Sequence, residues 1–188
     1  QENFSDTVEA SREAAKQEFQ NHKAALKQQL TIIKDTKKQA LVEKISTNCQ
    51  DINTKRTGKM ATMLEKLSSI LTHVTTRAAS ASVAGKDTST VDTAVTLAQT
   101  VIADAQDAVA LQAGKICTIT LTGETNVKTD VGKIISGLQR DLQSVYEKVI
   151  AARKVVGDAV RALSQVIGEP LTPVTEQKHA SPSGNEPG

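Results

Sequence analysis

Read at every eleventh residue from Val8, the chain gives Val8, Phe19, Leu30, Leu41, Ile52, Met63 and Val74, all apolar in an otherwise mostly polar segment. Eleven residues span three helical turns at about 3.67 residues per turn, close to the ~3.6 of a relaxed α-helix. Such a row keeps one apolar seam on one side of a long helix. No proline occurs before residue 170, so nothing in the backbone forbids a helix through this region. The row predicts one helix over about 5–82, with Ser5 and the nearby acids as its N-cap region and residues 1–7 frayed. Gly58 is its expected weak point, a bend or local loosening, because an interior Gly costs about 1 kcal/mol relative to Ala.

Residues 83–90 (VAGKDTST) break the pattern, with Gly85 suited to a left-handed C-cap and Asp87, Thr88 and Ser89 suited to the next start. A second helix over about 90–113 follows, with Val91, Val95, Ala98, Ile102, Ala105 and Val109 at heptad spacing. Residues 114–125 form an irregular link. Ile116, Cys117, Ile119 and Leu121 look strand-like, but a lone strand has no pairing partner, so an extended or kinked connection is the expectation. A third helix over about 126–167 carries two apolar rows. One is Val131, Leu138, Val145, Ala152, Ala159 and Val166; the other is Ile135, Leu142, Val149, Val156 and Leu163. Gly168 and Pro170 end it. All four prolines lie in residues 169–188, a stretch too poor in apolar residues to form a core and expected to be a disordered tail.

The expected fold is therefore all-α and a single helical domain over 8–168. The first helix matches the second and third in length, which predicts an elongated antiparallel helical hairpin or coiled coil. The alternative is a shorter three- or four-helix bundle, folded near Gly58 and at 114–126. Composition agrees with thin helical packing: aromatics are 2% of the chain, with no Trp, so Ala, Val, Leu, Ile and Thr must fill the seams.

Cys49 and Cys117 sit in no zinc-like or CxxC spacing. In a hairpin turning near residue 83 they face each other across the arms and could form a disulfide; two separate, partly buried thiols are the alternative. The basic residues Lys34, Lys37, Lys38, Lys44, Lys55, Arg56 and Lys59 are a candidate contact for an anionic surface. They come without the aromatic residues that stack on bases, and the whole chain carries only +2, so nucleic acid is disfavoured as a partner. No HExxH, GxSxG or phosphate-loop motif occurs, and His22, His73 and His179 are scattered. The sequence therefore reads as a non-enzyme with no cofactor, metal or small-molecule substrate. Its expected partners are proteins, through self-association or another envelope protein, with a lipid or envelope-polymer surface as the competing class. The chain starts at Gln1 and not at Met, which gives the expectation of an exported protein whose signal peptide has been removed.

Several segments carry a likeness: KKQALVEKI (37–45), INTKRTGKM (52–60), LEKLSSIL (64–71), TVDTAVTLAQTVIADAQDAVALQAGKICTI (90–119) and ISGLQRDLQSVYEKVIAARKVVGDAVRAL (135–163). Over about 8–167 the chain resembles a family of uncharacterised helical proteins from candidate-phyla-radiation (Patescibacteria) bacteria. The resemblance implies export and a coiled-coil-like shape. Many members carry an aromatic residue at the position of Cys117, so a disulfide would be local to this chain. The family lends no activity and no site residues. The resulting expectation is an exported, non-enzymatic helical rod at the cell surface or envelope.

Overall fold

The computed structural model describes residues 3–168; the tail predicted over 169–188 lies outside the described residues. Four α-helices pack together: α1 (Phe4–Leu30), α2 (Thr36–Val83), α3 (Ser89–Ala113) and α4 (Val127–Ile167), with a single 3₁₀ turn at Glu124–Asn126. No strand occurs among the described residues. α3 packs on both α2 and α4, α2 packs on α4, and α1 lies against α2 and α3.

The single helix expected over 5–82 is two helices. The break falls at residues 31–35, where neither Gly nor Pro stands. Asp35 supplies the reason: its Oδ1 accepts the backbone N–H groups of Lys37 and Lys38, capping the N-terminus of α2. The Gln39 side-chain amide donates to the carbonyls of Leu30 and Ile33 and so satisfies the end of α1. The turn also buries Ile33. Val8, Phe19 and Leu30 are buried, but just after the turn Leu41 and Ile52 are exposed and Val42, Cys49 and Asn53 face inward instead; further along, Met63 packs against the core and Val74 is buried again.

Gly58 does not break the helix, since α2 runs through it without interruption. A Cβ there would meet the Arg12 guanidinium at 3.0 Å, so the glycine makes room for an α1 side chain. The N-terminus also differs from expectation. Asn3 is the N-cap residue, without a side-chain cap bond, and Ser5 sits inside the first turn of a helix that already includes Phe4.

The α2–α3 turn is the one the sequence announces. Gly85 has φ +80°, the Lys86 N–H donates to the Ala81 carbonyl and the Gly85 N–H to that of Ser82, a Schellman C-cap. All six heptad residues of α3 are buried, and Ala98 and Ala105 let its backbone approach its neighbours closely. At the far end of α4, Gly168 (φ +74°) closes the helix, and Lys86 Nζ donates to the carbonyls of Val166 and Ile167. The two longest helices, α2 and α4, thus run side by side in the same direction.

Candidate functional site

Two kinds of interior share this frame. The half toward the α2–α3 turn is mainly apolar, with Leu64, Leu71, Val91, Ala98, Val149 and Val156 among its buried residues and Thr88 buried at the turn itself. In the other half α3 has ended at Ala113. The extended residues 115–123 and helix α1 take its place, around a smaller cluster of Leu26, Leu30, Ile33, Val42, Ile119, Leu121 and Val131.

The link alternates as a strand would: Cys117, Ile119 and Leu121 are buried. No neighbouring strand serves its backbone, so side chains do. The Cys117 N–H donates to Gln50 Oε1 (3.0 Å) and the Leu121 N–H to Gln29 Oε1 (3.1 Å). The Thr122 N–H and hydroxyl both donate to Asp130 Oδ2 (2.9 Å each). Asn53 Nδ2 donates to the carbonyls of Gln112 and Lys115, while the Gln112 amide donates back to Asn53 Oδ1. Glu124 Oε1 accepts the Lys34 N–H and ties the link to the α1–α2 turn. Cys49 and Cys117 are joined as a disulfide with Cα atoms 5.9 Å apart. Gln50 and Asn53 of α2 are therefore partners of the link. A buried amide group left without a partner costs about 1–3 kcal/mol, which is why Gln50 and Asn53 stand on an inward face. Asp130 is held below the ordinary carboxylate pKa by the backbone N–H of Thr122 first and by its hydroxyl second.

An open groove of about 700 Å³ lies between Ile45–Met60 of α2 and Ile135–Tyr146 of α4. A second depression of about 530 Å³ continues it toward Lys38, Leu41 and Lys128. Exposed apolar side chains line the two, notably Leu41 (56% exposed), Ile52 (48%), Ile135 (37%) and Tyr146 (42%). Two of these belong to the eleven-residue row, and Ile135 belongs to a heptad row of α4 that is buried from Leu142 onward. Neither α3 nor residues 114–123 line the groove.

All seven basic candidates, Lys34, Lys37, Lys38, Lys44, Lys55, Arg56 and Lys59, are exposed. The structure brings Lys38 and Arg56 to the groove, where Lys128 of α4 joins them. Lys128 has no signal in sequence, since only the packing of α4 on α2 places it there. Among the described residues no group of three His, Cys, Asp or Glu side chains could hold a metal ion, and no helix is long and apolar enough to cross a membrane. Comparison with protein-family profiles, curated proteins and solved structures finds no match to this chain.

Proposed function

We propose that this protein is a non-enzymatic structural or interaction protein, a helical scaffold that works at the cell surface or envelope and docks a protein partner in its α2–α4 groove. The observation that carries the reading is the exposed apolar lining of that groove, Leu41, Ile52, Ile135 and Tyr146 gathered in adjoining depressions with cations beside them. Isolated exposed apolar residues are ordinary, but a continuous groove of them marks a contact surface. Within the all-helical class we read the arrangement as a shorter four-helix bundle rather than a two-arm hairpin, on the strength of α4 lying against both α2 and α3. Export is supported by the Cys49–Cys117 pair, a bond that persists in oxidising compartments, and by the resemblance to exported patescibacterial proteins.

A photo-reactive amino acid at position 52, installed in the producing cell, tests the reading. Cross-links to protein are expected from position 52 and not from Gln17, an exposed position on α1. Labelling of lipid alone, or equal labelling from both positions, overturns it. The second reading is a peripheral protein on an anionic lipid or envelope polymer. It draws on the exposure of all seven bases of residues 34–59, and the lipid-only outcome would favour it.

A further inference from the structure

The groove has a complement on the same chain. Lys38 and Arg56 of its α2 wall and Lys128 of α4 line it beside one acid, Glu124, and residues 34–59 as a whole carry seven Lys/Arg against three Asp/Glu. Helix α3 carries Asp92, Asp104 and Asp107 and no base at all. Its outward residues Leu97, Thr100, Asp104, Asp107 and Leu111 follow steps of three and four, so they share one face of the helix. Leu97 and Leu111 are 55% and 73% exposed, with the two acids between them. This is an acidic helix face with an apolar side chain at each end.

The α3 face is shorter than the groove wall and fits along it. Leu97 and Leu111 lie fourteen residues apart, about 21 Å along a helix at ~1.5 Å per residue. The α2 wall from Lys38 to Met60 runs about 33 Å by the same measure. Lys38, Arg56 and Lys128 form no ion pair among the described residues, so their charges are available to Asp104 and Asp107.

We propose that the α2–α4 groove of one copy receives the outward face of α3 from a second copy, joining copies head to tail. The proposal rests on the reading of the groove as a protein-docking surface and names its occupant. Because α3 packs on α2 and α4, its outward face points away from that pair, while the groove opens between them on a side that α3 does not line. Donor and acceptor surfaces are therefore different patches. A heterologous contact of this kind grows into an open chain of subunits unless its rotation closes a ring.

Sedimentation of the full chain at rising concentration tests it, with two variants at exposed positions. Ile52→Lys blocks the groove, and Leu97→Lys with Leu111→Lys blocks the α3 face; circular dichroism checks that both keep their helix content. The unsubstituted protein is expected to gain mass steadily with concentration and to lose that gain at high salt. Each variant alone is expected to stay monomeric. An equimolar mixture is expected to give a dimer that grows no further, because each partner supplies the one surface the other lacks. A protein monomeric at every concentration overturns the proposal, as does a mixture that forms no dimer. If the α3 variant assembles normally while Ile52→Lys does not, the occupant is wrong and groove docking stands. Cross-linking from position 52 only to another protein, with no self-association, likewise rejects the occupant and keeps the groove.

Discussion

The half of the molecule toward the α2–α3 turn and the half around the disulfide solve the same problem with different materials. In the first, α2, α3 and α4 bury apolar rows against one another, and helical hydrogen bonds serve the backbone between the caps. In the second, an extended segment replaces the third helix, and its N–H and C=O groups must be met from outside. Gln29, Gln50, Asn53 and Asp130 meet them. Apolar packing tolerates substitution by small adjustments, whereas a network of specific hydrogen bonds fails piecewise when one member is lost. The candidate docking groove lies in the second half, between the α2 and α4 segments on either side of Cys49 and Leu142.

The largest expected effect that separates the halves comes from the cystine. Its two residues are separated by 68 positions, and a closed loop of that size stabilises by about 4 kcal/mol in the chain-entropy account. Reduction, or Cys49→Ala with Cys117→Ala, is expected to lower the denaturation midpoint and to strip amide protection first from residues 114–126. Equal loss of protection in α3 would erase the contrast between the halves. Leu64→Ala, in the apolar half, is expected to cost about 3 kcal/mol through the cavity it leaves. Its protection loss should be global, since Leu64 sits in the core shared by three helices.

Asn53→Ala is expected to cost about 2 kcal/mol, because it strands the carbonyls of Gln112 and Lys115 and the Gln112 amide together. Urea melts of this variant with and without reductant would show whether the amide and the disulfide hold the link cooperatively. Acid acts more gently. Asp130 has a depressed pKa, so its folded form binds fewer protons than the unfolded chain near pH 4. Its contribution is complete above the ordinary Asp value of about 4 and is lost as pH falls through the lower, folded value. Hydrogen exchange at Thr122 is expected to rise across that interval, and Asp130→Asn should flatten the dependence. The smallest effect is Gly58→Ala, expected to stabilise by up to about 1 kcal/mol through helix propensity. The Cβ meets only the flexible end of Arg12; a marked destabilisation would mean that Arg12 cannot move aside.

Much of the apolar half is legible in the sequence. Heptad spacing in Val91–Val109 identifies every buried position of that row, and Gly85 and Gly168 mark two helix ends by their left-handed backbones. The α1–α2 turn is hidden because a periodic row continues across it, from Leu30 to Leu41, without Gly or Pro. Asp35 is the available sign, a capping residue before two lysines whose N–H groups it accepts. The stapled half is hard to read for a different reason. Gln50 and Asn53 resemble surface residues by type, and only a backbone that lacks its own partners draws them inward. The groove follows the same logic in reverse: Leu41, Ile52 and Ile135 fit apolar rows, yet packing leaves them uncovered.

The bond between Cys49 and Cys117 has a mechanical consequence. It closes a loop that contains most of α2 and all of α3. A pull applied through the two chain termini can peel away α1 and α4, but it cannot straighten the 68-residue span between the cysteines. At about 3.4 Å per residue, some 230 Å of contour is withheld from extension. Under tension the oxidised protein behaves as a tether with a hard stop, and the reduced protein as one without it.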